Sequence, residues 1–206
     1  MMNTTKNHLD FWEESKKTLS KNDSVMADII SQYKGDALIV RGDAFFTLTR
    51  AIVGQQISVK AADAIWKRLE SMITLQPYSV LDATVEELRS IGLSGQKIRY
   101  LINIAEYFLE YNISKGFWDN MEDEEAIKHL TQTKGIGRWT AEMFLIFHLA
   151  RPNVLPIDDI GLQKAVMQHY DVGKSDLKEH AERWQPYRSV ATWYLWRSLD
   201  PIPVAY

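Results

Sequence analysis

The sequence has 206 residues, 46% of them hydrophobic and none of them cysteine, with a formal charge of −3. This length suits one large domain or two small lobes with ample apolar side chains for a core, and the lack of thiols excludes disulfides, cysteine-held zinc and iron–sulfur clusters. The acidic balance argues against a protein that coats nucleic acid by bulk charge, but not against one that grips a few phosphates locally.

Five histidines (His8, His129, His148, His169 and His180) are scattered without metal-ligand spacing. No apolar run approaches the ~20 residues that span a bilayer, and the first residues lack an apolar signal core. A soluble intracellular protein with no membrane partner is expected.

Taken in chain order, the pattern is helical almost throughout. Residues 10–20 and 23–33 read as two short helices before a Lys34-Gly35-Asp36 break. Asp43 reads as the N-cap of a helix through Val53, and Ser58 opens the next, with Ala61, Ala62, Ile65, Trp66 and Leu69 on one face. Thr84-Val85-Glu86-Glu87 is a capping box whose helix stops at Gly92. After a turn at 92–95 a long helix runs from Gln96 to about Tyr111. Residues 114–124 are polar and acidic and read as a loop, with the 119–125 charges solvated. A helix with Ala126, Ile127 and Leu130 ends at Gly135-Ile136-Gly137, where an apolar helix with Trp139, Ala141, Met143, Phe144 and Phe147 begins. Pro152 and Pro156 bracket an extended link, and Asp158 or Asp159 caps a helix through His169. Two more helices follow near 175–184 and 188–199. Only Ala37–Val40 hints at strand alternation. The fold class is all-α, with two helical lobes.

Two local features carry chemistry. In helix, Gly135-Ile136-Gly137, helix, the glycines allow positive φ and leave no side-chain bulk. Backbone amides at the start of the second helix then make a phosphate site that needs no net positive charge, to which Arg138 adds a local cation. Taken alone, the tripeptide is better explained by an ordinary glycine-capped turn. The second feature is Pro156-Ile157-Asp158-Asp159 at a helix start, where simple N-capping is the structural alternative.

Thr133-Lys134-Gly135-Ile136-Gly137-Arg138-Trp139-Thr140-Ala141, followed by Leu155-Pro156-Ile157-Asp158-Asp159, resembles the helix-hairpin-helix, Gly/Pro-rich, Asp signature of base-excision DNA glycosylases. Arg50 to Ala62, with Gly54-Gln55-Gln56-Ile57-Ser58 at its centre, is similar to the segment typical of the DNA-3-methyladenine glycosylase II family. Gly92-Leu93-Ser94 with Lys97, and Trp184-Gln185-Pro186-Tyr187-Arg188-Ser189 with Trp193-Tyr194-Leu195-Trp196-Arg197, fit the same family. The resemblance covers roughly residues 40–200.

It implies a monofunctional glycosylase that flips alkylated bases such as 3-methyladenine out of double-stranded DNA and hydrolyses their N-glycosidic bond. Asp159 falls on the catalytic aspartate. Trp139, Trp196 and Met143 fall on the base pocket. Gly135, Ile136, Gly137, Arg138 and Thr140, with Gln55, Gln56 and Ser58, fall on the DNA-binding surface, Gln56 as the side chain that plugs the stack. Carbonyls of Thr131, Thr133 and Ile136 fall on a monovalent cation site for Na+ or K+; no other cofactor and no iron–sulfur cluster is expected. Bifunctional relatives carry lysine where Trp139 stands, and tryptophan cannot form their Schiff base. The expected molecule is a single domain, 1–206, with 1–40 as a helical extension packed on it, no extra N-terminal β domain, and the DNA cleft between the lobes. A monomer is expected, cytoplasmic and nucleoid-associated in a bacterium or nuclear in a eukaryote. Still open are a related glycosylase for another base lesion, a non-catalytic DNA-binding module, and a helical scaffold without a DNA role.

Overall fold

A computed structural model describes residues 10–40 and 43–199. The elements in chain order are α1 (Trp12–Asn22), α2 (Ser24–Gln32), α3 (Ala44–Gly54), α4 (Val59–Met72), α5 (Pro77–Asp82), α6 (Val85–Ser90), α7 (Gly95–Glu110), α8 (Asp123–Thr131), α9 (Arg138–Phe147), α10 (Ile160–Tyr170), α11 (Lys174–His180), a 3-10 turn (Ala181–Trp184) and α12 (Arg188–Leu199). No strand occurs among the described residues; Ala37–Val40 is irregular chain. None of the described helices is long and apolar enough to cross a membrane.

The starts of these helices are chemically explicit. Asp23, Asp43, Ser58, Thr84, Ser94 and Asp159 each accept a backbone N–H from the first turn of the helix that follows. Such caps satisfy amides that the helix itself cannot. Thr84 and Glu87 complete the reciprocal capping box. The six-residue α5 is absent from the sequence reading. It is one turn with proline at its start, too short to show a helical period.

The chain divides into two compact units. One combines the described residues up to Val40 with those from Leu145 onward; the other ends at Phe144, inside α9. In the second unit α7 is the hub, packing against α3, α5 and α6. Leu48, Ile52, Leu69, Leu101, Ile104 and Ala105 there are essentially inaccessible. The loop read over 114–124 ends at Glu122, because Asp123 and Glu124 already belong to α8, where Glu124 pairs with Arg138 rather than only facing solvent; within the loop Trp118 is buried, edge-on to Phe108 and Phe144.

In the first unit α12 is central, packing against α10, α2 and α1. Trp12 lies edge-on to Trp193 at 5.3 Å, and buried Arg197 pairs with Asp36 at 2.6 Å while lying over the Tyr33 ring. Buried Asp23 caps α2 through Oδ1 and accepts the Tyr170 hydroxyl (2.9 Å) and the Trp184 indole N–H (3.0 Å) on Oδ2. The N-terminal helices therefore supply part of this unit's core and its buried polar centre.

Candidate functional site

The hairpin between α8 and α9 turns on one glycine of positive φ. Gly135 has φ +110°, and a Cβ there would stand 2.5 Å from Tyr100 Cγ. Glycine is thus required twice, by backbone and by packing. Gly137 differs: its φ is not positive and nothing lies within 4 Å of where its Cβ would be. It is the residue whose carbonyl accepts the first α9 bond, from Ala141 N–H. The open space at Gly137 leaves the α9 amides approachable. Below the hairpin, α7 supports it through Tyr100 and through Asn103, whose amide donates to the Lys134 carbonyl.

The loop between α3 and α4 lies against the same hairpin. Gln55 Nε2 donates to the Gly135 carbonyl at 3.1 Å. Gln55 therefore braces loop to hairpin, a use the sequence reading did not foresee. Lys97, whose ammonium burial makes easier to deprotonate, donates to the Val53 carbonyl at 2.7 Å and holds the end of α3. Between these ties Gln56 is exposed at φ +57°. A left-handed non-glycine residue costs about 1–3 kcal/mol and persists only where its surroundings fix it. Ser58 closes the loop as the α4 N-cap.

Loop, hairpin and the start of α7 line an open cavity of about 660 Å³. Thr131, Thr133, Ile136 and Thr140 line it, and its charged lining residues are Lys97 and Lys134, with no carboxylate. In a chain of net charge −3 this is a local cationic surface. Arg138 is not part of it. Its guanidinium grips Glu124 with both terminal nitrogens and donates from Nε to buried Glu142 at 3.0 Å. The pairing makes Arg138 harder to deprotonate and lowers Glu124, with hydrogen bonding as the main cause for both. One cation faces two carboxylates, so the expected local positive charge is already compensated. On α9, Trp139 is half-buried and Met143 is in the core; neither lines this cavity.

The other unit holds the aspartates. Asp158 points to solvent and pairs with Lys174 at 2.8 Å. Asp159 is the N-cap of α10: Oδ1 accepts the Leu162 amide at 2.6 Å and the Trp196 indole N–H at 2.7 Å. Its own amide donates to the Pro156 carbonyl. The carboxylate is thereby held by two donors on one oxygen and the backbone by a third bond, and Trp196, half-buried, stacks on Phe147 with centroids 5.9 Å apart. The structure brings Asp159 together with Trp196, and places Gln55, Gln56 and the hairpin on one surface.

An all-α chain with a tight Gly-Ile-Gly hairpin between two helices and a helix-capping aspartate beyond it is a helix-hairpin-helix protein. Residues 49–186 match the HhH-GPD superfamily base excision DNA repair protein family, and the chain belongs to that family. It is 34% identical over 200 residues to DNA-3-methyladenine glycosylase 1 of Schizosaccharomyces pombe, covering 93% of this chain and 85% of that protein. The crystal structure of DNA-3-methyladenine glycosidase from Bacillus halodurans matches with a TM-score of 0.81 at 34% identity, covering 90% of this chain and 89% of that one. The Schizosaccharomyces pombe 3-methyladenine DNA glycosylase, solved in complex with abasic DNA, matches at 0.80 and 31% identity, covering 94% of this chain and all of that one (100%).

Proposed function

We propose that this protein is a monofunctional DNA glycosylase that excises alkylated bases, 3-methyladenine among them, from double-stranded DNA. The observation that carries the reading is the Asp159 carboxylate, held at a helix N-terminus by two donors on one oxygen, in a chain of the base-excision family. The relatives named above, two of them 3-methyladenine glycosylases by name, support the substrate class.

The amides at the start of α9 receive a phosphate beside the open Gly137. Gln56, already displayed in its left-handed conformation, enters the duplex as the damaged nucleotide rotates out, at a cost of a few kcal/mol that is smaller for a damaged base. Electron-rich indole faces at Trp139 and Trp196 favour the delocalised positive charge of an alkylated purine by ~0.5–2 kcal/mol each. The C1′–N bond breaks and its electron pair leaves with the base, which departs neutral because it was cationic. Asp159 stabilises the resulting oxocarbenium-like sugar and orients the attacking water, whose oxygen bonds to C1′ and whose proton passes to solvent. Trp139 offers no amine for a covalent intermediate. Na+ or K+ suits the hard carbonyl oxygens of Thr131, Thr133 and Ile136, residues that line one cavity; those carbonyls would hold it, and it would supply positive charge for DNA, outside the chemistry.

Base release from methylated duplex DNA tests the reading, wild type against Asp159→Asn. Asparagine caps helices as well as aspartate does, so the variant keeps its fold while release falls by about 10²–10⁴-fold. Borohydride is expected to trap no protein–DNA adduct. Intact DNA binding without release by either protein would leave a binding module in place of the enzyme.

A further inference from the structure

We propose that Trp196 is a positioning residue for Asp159, acting through its indole N–H, and that Gly161 is the residue that makes room for it. The inference rests on the glycosylase reading above. Three observations within one unit meet here. First, the Trp196 N–H and the Leu162 amide converge on the same carboxylate oxygen, at 2.7 and 2.6 Å. Two donors from different helices fix the carboxylate's rotation, which a cap bond alone does not. Second, the indole is itself fixed, since its ring lies nearly parallel to Phe147, 11° between planes. Third, Gly161 sits inside the first turn of α10 without a positive φ, where glycine is a poor helix residue. A Cβ there would lie 3.1 Å from Asp159 Oδ1 and 3.1 and 3.2 Å from Trp196 Cδ1 and Nε1. The nearest atoms to the missing methyl are thus the two partners of the bond. Space for that contact is the physical reason for a glycine at 161.

A neutral donor suits the task. An arginine or lysine at this point would orient the carboxylate but also cancel the charge that must face a cationic sugar. An indole N–H orients it and leaves the negative charge in place. Because the N–H lies in the ring plane, the bond also fixes the tilt of the indole. A purine stacked on that ring is thereby registered against the carboxylate. Base recognition and sugar stabilisation would share one side chain.

The test compares single-turnover release of 3-methyladenine by wild type, Trp196→Phe, Gly161→Ala, Asp159→Asn and the Trp196→Phe/Asp159→Asn double variant. Phenylalanine keeps an aromatic face and removes only the donor. Alanine at 161 keeps the donor and presses on both partners of the bond, which must shift by a few tenths of an ångström. We expect the maximal rate to fall by about 10- to 100-fold in Trp196→Phe, less in Gly161→Ala, with half-saturating concentration within about twofold. In the Asp159→Asn background Trp196→Phe should cost nothing further, as for groups acting as a unit. Wild-type rates in both Trp196→Phe and Gly161→Ala would overturn the proposal. So would a Trp196→Phe loss that multiplies with that of Asp159→Asn, or one confined to half-saturation, since either places Trp196 on the base alone. Equal release by wild type and Asp159→Asn would instead sink the carboxylate's role, a separate failure.

Discussion

Gly135 and Gly137 are two residues apart and separate two properties that a hairpin combines. At Gly135 an alanine meets both a φ of +110° and the Tyr100 ring, so Gly135→Ala should lower stability by about 2 kcal/mol or more, seen as an earlier denaturant midpoint. At Gly137 the backbone is ordinary and the space is empty. Gly137→Ala should cost under about 1 kcal/mol as an N-cap change yet weaken DNA binding, if the α9 amides receive a phosphate as proposed, because the new methyl would stand beside them. Equal effects of the two on folding, with DNA affinity untouched by Gly137→Ala, would refute this division. The sequence reading treated the pair as equivalent. Nothing in Gly-Ile-Gly distinguishes them; the distinction comes from Tyr100, 35 residues earlier in the chain, whose ring packs where a Gly135 Cβ would be. Gln55 is a similar case. The family resemblance of its segment places it on the DNA-binding surface, and only the fold shows its amide donated to the hairpin.

At the level of helices, the join between α8 and α9 carries an electrostatic feature that the linear pattern conceals. Arg138 stands at the N-terminal end of α9, but Glu124 from the start of α8 and Glu142 one turn along α9 hold it. Glu124 is the exposed partner, 73% accessible in its side chain, so Glu124→Gln should change stability by less than about 1 kcal/mol. It should also release one cationic group toward DNA. Affinity for duplex should then rise, and the slope of log affinity against log salt should steepen by about one unit. An unchanged slope would mean that Arg138 does not contact phosphate. Helix existence and limits were largely legible here, since caps such as Asp43, Ser58 and Thr84 act within three residues of where they stand. What was not legible is pairing across 14 residues or more, as between Arg138 and Glu124, and the single turn of α5.

For the molecule as a whole, the polar centre at Asp23 matters most. Asp23→Ala removes a cap and leaves the Tyr170 hydroxyl and Trp184 N–H buried without their acceptor, so it should destabilise by about 3 kcal/mol or more. Asp23→Asn, which still caps, should cost less. Equal thermal midpoints for Asp23→Ala and wild type would contradict this. Two histidines set a pH dependence. Burial is the main cause that holds both His129 and His180 below 6.5; Arg183 adds to it at His180, while Glu125 and Asp23 oppose it weakly. A histidine with a depressed native pKa contributes its full stability above about 6.5. Below that the unfolded chain takes up the proton first, so stability falls until the native pKa is passed. Thermal midpoints should therefore drop between pH 7 and about 5.5, less steeply in His129→Gln, which checks the assignment.

One unit is closed by segments from both sides of the other: α1 and α2 reach it before residues 43–144 are made, and α10 to α12 only afterwards. During synthesis the two units are therefore not equivalent. The second draws its helices from one continuous stretch and can assemble as that stretch emerges. The first must wait, with Trp12 and the Asp23 carboxylate lacking Trp193, Tyr170 and Trp184 until the last helices arrive. Its long-range closure makes it the slower of the two to form. The carboxylate and the indole that holds it belong to this late-forming half, so a nascent or truncated chain would present the Gly135–Gly137 hairpin well before the Asp159 carboxylate was in place.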